Sequence, residues 1–79
     1  DKVIEITHKA EANDRFAQCI LGILFERGLY VPQNFTKATT WLERAGEQGE
    51  PEAQYRLGEF YKYGIISREG FRRWMIALG

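Results

Sequence analysis

The sequence predicts an all-α fold, an α-α superhelix of about five helices in antiparallel pairs, and three observations carry that prediction. First, the string from Ala17 to Gly28 returns thirty-six residues later from Ala53 to Gly64, keeping alanine, glutamine, leucine and both glycines in register. Self-similarity at such a period marks stacked two-helix units, none of which can bury its apolar face alone. Second, Ala17, Leu21 and Phe25 fall on one helical face, as do Ala53, Leu57 and Tyr61. Third, Gly22 and Gly58 lie inside those helices, where glycine costs about 1 kcal/mol relative to alanine. Their use predicts close approach of a neighbouring helix at both positions.

The elements follow in order. Val3, Ile6 and Ala10 at helical spacing predict an amphipathic helix from Val3 to Ala12. Asn13 then supplies a stop and Asp14 an N-cap for a helix from Arg15 to Arg27, which Gly28 ends in a left-handed conformation. Pro32 holds Val31 extended, and Asn34 caps a helix running to Gln48, with Lys37, Ala38, Trp41, Leu42 and Ala45 as its buried stripe. After Gly49, Pro51 suits the first turn of a helix that continues to Tyr63, and Gly64 ends it. From Ser67 a last helix sets Phe71, Trp74, Met75 and Leu78 inward.

Overlaying residues 15–43 on 51–79 also pairs Phe35 with Phe71 and Leu42 with Leu78, and residues 1–14 align with 37–50 through Ile6/Leu42 and Glu11/Glu47. The chain therefore reads as one domain over 1–79. In it 1–14 is the second helix of a partial repeat, 15–50 a complete repeat, and 51–79 a second, atypical or capping one.

Eleven basic and eleven acidic side chains balance to no net charge, which removes the broad attraction that non-specific nucleic-acid binding needs. Arg68, Arg72 and Arg73 beside Trp74 accordingly read as a solvated helix face. The first 52 residues carry six basic against nine acidic side chains and the remainder five against two, a polarity that suits head-to-tail self-association. No apolar run is long enough to span a membrane. The opening at Asp1, without a methionine, reads as a processed or trimmed chain.

Catalytic and metal chemistry has little to work with. His8 is the single histidine and Cys19 the single cysteine, so neither a His pair nor a Cys-x-x-Cys can hold a metal, and no cofactor is expected. Cys19 reads as a small core residue, and a Cys19–His8 dyad would lack a third, orienting group. Ser67, the single serine, has no lysine three residues on. Carboxylate pairs such as Glu43 with Glu47 read as solvent-facing. The expectation is a chain that is not an enzyme.

Ala17, Leu21, Gly22, Phe25, Gly28, Val31, Pro32, Lys37, Ala38, Trp41, Ala45, Gln48 and Gly49 resemble the Sel1-like repeat, a relative of the tetratricopeptide repeat. Ala53, Gln54, Tyr55, Leu57, Gly58, Tyr61 and Gly64 open a second copy. The ends depart from the pattern: Glu5 and Ala77 replace its tryptophan, and Arg73-Trp74 its lysine-alanine. The resemblance implies an α-solenoid scaffold or adaptor, of a kind of which many are bacterial, whose concave face is lined by the first helix of each repeat. On that face it places Phe16, Cys19, Ile23, Glu26 and Arg27, then Glu52, Tyr55, Glu59, Lys62 and Tyr63, as contacts for a protein or peptide partner. Tyr55 and Tyr63 would anchor, and Arg27, Glu59 and Lys62 orient. Phe16, Cys19 and Ile23 could instead pack against the preceding helix. Two further readings stay open. One is self-association sealed by Phe71, Trp74 and Ile76. The other is the β-lactam binding or hydrolysis associated with some secreted, cysteine-rich relatives, whose paired cysteines this chain lacks.

Overall fold

The computed structural model describes residues 1–78, with side chains through Ile76. It contains five helices: α1 (Lys2–Glu11), α2 (Arg15–Arg27), α3 (Phe35–Glu47), α4 (Pro51–Lys62) and α5 (Arg68–Leu78). The inward setting expected of Leu78 lies outside the described side chains.

Each helix begins where a side chain satisfies its free amides. Asp1 accepts from Val3 N at 2.8 Å and Asp14 from Phe16 N and Ala17 N at 2.9 and 3.0 Å. Asn34 accepts from Lys37 N and Ser67 Oγ from Gly70 N, both at 3.0 Å. The first four helices end alike, in a left-handed residue followed by an amide that reaches back five residues. The left-handed positions are Asn13, Gly28, Gly49 and Gly64, with φ of 74, 67, 88 and 77°. The closing bonds run from Asp14 N to Lys9 O, Leu29 N to Leu24 O, Glu50 N to Ala45 O and Ile65 N to Phe60 O.

The repeated glutamine stitches one unit to the next. Gln18 Nε2 donates to Ala10 O at 3.1 Å, and thirty-six residues on Gln54 Nε2 donates to Gly46 O at 2.9 Å. In both cases a side chain on one helix adds a second hydrogen bond to a carbonyl near the end of the helix before it, which also accepts the backbone amide three residues on, Asn13 N or Gly49 N. Gln18 is fully buried and also accepts from Gln48 Nε2 at 2.9 Å, so none of its polar capacity is stranded.

Two apolar clusters form along the stack. Ala10, Ala17, Leu21 and Leu24 make the first, between α1 and α2. Cys19, Ala38, Leu42, Ala45, Ala53, Leu57, Phe60 and Trp74 make the second, and Phe25 packs against both. On α3 the buried stripe is narrower than expected. Trp41 is half-buried beneath Arg44, and exposed Lys37 holds its ammonium 5.4 Å from the Phe25 ring.

The two helix glycines differ. A Cβ on Gly22 would fall 2.7 Å from Leu42 Cγ and 3.2 Å from Ala38 O, so α2 and α3 are as close as predicted. Among the described residues a Cβ on Gly58 would meet nothing within 4 Å, not even the Trp74 carbonyl that stands in the place of Ala38 O, which corrects the expectation of close approach there. Trp74, far larger, stands where the first repeat has Ala38. Its ring lies over Gly46 of α3, and its Nε1 donates to Glu43 O at 3.4 Å. Trp74 is thus buried, Phe71 half-buried, and Met75, expected inward, is 50% exposed.

Candidate functional site

The α2 and α4 helices enclose a groove of 340 Å³. Its walls are Glu26 and Arg27 from the end of α2, Glu52, Tyr55, Arg56 and Glu59 along α4, and Tyr63 with Ile65 just beyond it; Phe60, almost fully buried, forms the floor. The geometry of the wall follows from helix periodicity. Glu52, Tyr55, Glu59 and Tyr63 recur at three- and four-residue spacing, so they form one stripe whose opposite face carries Ala53, Leu57 and Phe60 into the core.

Arg56 organises the charges. Its Nη1 donates to Glu26 Oε1 at 3.0 Å, joining α4 to α2, and its Nη2 lies 3.7 Å from Glu52 Oε1 one turn back. Both members of the shorter pair are largely shielded from water, which makes it stronger than an exposed surface pair. Arg56 Nε is buried with no hydrogen-bond partner, so the guanidinium is held by its two outer nitrogens. Glu59 makes no ion pair among the described residues. Tyr55 and Tyr63 stand 64% and 67% exposed.

The sequence-predicted contact residues divide. Arg27, Tyr55, Glu59 and Tyr63 line the groove together with Glu26 and Glu52. Lys62 lies outside the lining, its ammonium 5.6 Å from the Tyr63 ring centre. Phe16 is exposed but also outside it. Cys19 is 5% exposed, inside the second cluster, and Ile23 packs against that cluster. Neither is therefore presented as a contact, contrary to the placement the resemblance implies. They face the helices that follow, not the preceding one, because α3 and α4 close over that side of α2. The reading missed Arg56, Phe60 and Ile65. The Glu52/Arg56 spacing was a visible signal, but the cross-helix partner Glu26 is thirty residues away.

Burial pushes the Cys19 thiol up to about 11, with Glu50 and Glu52 adding to it and Arg56 opposing, so it stays protonated near neutral pH and is not nucleophilic there. Glu43 is half-buried, not solvent-facing as expected. Burial raises its carboxyl above the usual range, Glu47 adds like charge, and Arg73 opposes. Among the described residues no group of three or more potential ligands is gathered for a metal, and no helix is long and apolar enough to cross a membrane.

A family model described as the Sel1 repeat matches residues 15–50 and again residues 51–70. No curated protein and no solved structure matches the chain.

Proposed function

The chain belongs to the Sel1 repeat family, helical scaffolds that mediate protein–protein interaction, and on that footing we propose that it binds a protein or peptide segment in the groove between α2 and α4. The observation that carries the reading is the pair Tyr55 and Tyr63, both about two-thirds exposed on either side of a groove floored by buried Phe60. Tyrosine contributes large, rigid, amphipathic contact area at low conformational cost, which is why it concentrates at binding surfaces. The Glu26–Arg56–Glu52 array is already paired before a partner arrives, so it fixes the shape of the wall, while Arg27 and Glu59 remain to orient an incoming chain. Within this reading residues 1–79 act as one domain, with 15–50 the complete repeat and 51–79 the atypical one.

The role is presentation of a surface, not catalysis. Self-association sealed by Phe71, Trp74 and Ile76 draws less support, because Trp74 and much of Phe71 are already spent on the chain's own core.

The test is titration of a partner captured from the native source against the double variant Tyr55→Ala/Tyr63→Ala. We expect at least a tenfold loss of affinity, about 1.4 kcal/mol or more, with helix content unchanged. Equal affinity in a folded double variant would remove the groove from consideration.

A further inference from the structure

We propose that the groove between α2 and α4 selects a basic segment of a partner protein, seating a lysine or arginine side chain on Glu59 between the rings of Tyr55 and Tyr63. The proposal rests on the groove reading above and adds the chemistry of what enters. Glu59 lies four residues after Tyr55 and four before Tyr63. On a helix that spacing sets neighbouring Cβ atoms about 6 Å apart along one face, so the carboxylate stands at the centre of the tyrosine stripe. All three residues line the groove. The repeat pattern does not ask for a carboxylate at this place, because the equivalent residue on α2 is Ile23.

The charges of the wall give the sign of the occupant. Three carboxylates, Glu26, Glu52 and Glu59, line the groove with two guanidiniums, Arg27 and Arg56. Arg56 is committed to Glu26 at 3.0 Å and to Glu52 at 3.7 Å. Arg27, exposed at the end of α2, makes no ion pair with Glu59, and Lys62 turns its ammonium to within 5.6 Å of the Tyr63 ring centre. Glu59 is thus half-buried without a counter-charge among the described residues. A carboxylate partly withdrawn from water gains most from a cation that a partner delivers as it excludes more water. The tyrosines favour the same occupant, since an aromatic ring attracts a cation placed over its face, as the Lys62–Tyr63 contact already illustrates.

The probes are short synthetic peptides, acetyl-Gly-Ala-Xaa-Ala-Gly-amide with lysine, norleucine or glutamate in the middle, titrated into the intact chain labelled for amide NMR. The lysine peptide should shift the amides of Tyr55, Glu59 and Tyr63 saturably. It should bind about fivefold more tightly than the norleucine peptide, which keeps the alkyl chain and lacks the charge, and the glutamate peptide should bind weakest. Glu59→Gln, a near-isosteric change on the helix surface, should abolish the preference for lysine with helix content unchanged. Equal binding of the lysine and norleucine peptides in the groove overturns the proposal while leaving the groove reading in place. A lysine preference that survives Glu59→Gln does the same. Shifts centred elsewhere, or no binding by any peptide, also overturn it, and the double tyrosine variant then judges the groove by itself.

Discussion

The α2/α3 pair and the α4/α5 pair descend from the same sequence pattern yet pack differently. In the first, Gly22 lets α2 press against Leu42 and the Ala38 backbone. In the second, no described residue lies within 4 Å of a Cβ on Gly58, and aromatic contacts hold α5: Tyr61 stacks on Phe71 at 4.9 Å, and Phe71 lies 6.0 Å from Trp74. One substitution stands out between the two contacts. Where the first repeat has Ala38, the second has Trp74, whose ring reaches past α4 to Gly46 on α3. A repeated glycine thus has value only if its partner is also small. Sequence identity at one side of a helix contact does not reproduce the contact.

Replacing Trp74 by alanine puts this to the hardest test. The ring is 6% exposed, so its removal should cost about 3–5 kcal/mol in urea unfolding, much of the stability available to a domain this small. Retained stability would mean that α5 reseats on Gly58 as α3 does on Gly22, and that the tryptophan alone keeps the pairs apart.

The glycines themselves sharpen the contrast, because the same change should have opposite signs. Gly22→Ala is expected to destabilise by about 2 kcal/mol through overpacking against Leu42. Gly58→Ala is expected to stabilise by about 1 kcal/mol, the helix-propensity gain with no described residue in the way. Thermal melts that moved in the same direction for both variants would erase the distinction.

A smaller effect separates Cys19 from Tyr55, equivalent positions that are 5% and 64% exposed. The folded thiol titrates at about 11, above its ordinary value of 9.0. The fold therefore favours the protonated form, and the stability this provides is intact below pH 9. As pH rises from 9 to 11 the unfolded chain loses its proton first, and about 2 kcal/mol should be lost. Cys19→Ala should remove that part of the alkaline decline when the two chains are compared by denaturation at stepped pH. Parallel slopes would show that the thiol is wetter than its packing indicates.

Much of the fold was legible because it depends on near neighbours. Asp14, Asn34 and Ser67 announce helix starts, and Asn13, Gly28, Gly49 and Gly64 announce ends, through hydrogen bonds and φ values that span only a few residues. Half of the groove was legible too. Tyr55, Glu59 and Tyr63 lie on one periodic face, and repeat alignment put that face beside the end of α2. Arg56 escaped because its decisive partner, Glu26, is adjacent only after α3 has folded the chain back. The resemblance places Cys19 and Ile23 on the concave face, and helical periodicity does not say that later helices cover that face of α2.

By itself, then, the sequence determined the helices, their caps and the repeat that orders them, since each rests on torsions and hydrogen bonds within a turn or two. Tertiary structure alone decided how closely each pair of helices packs and which charges meet. Those outcomes depend on the combined volume of side chains brought together from separate helices: alanine and glycine between α2 and α3, tryptophan between α3 and α5. No local pattern encodes that sum.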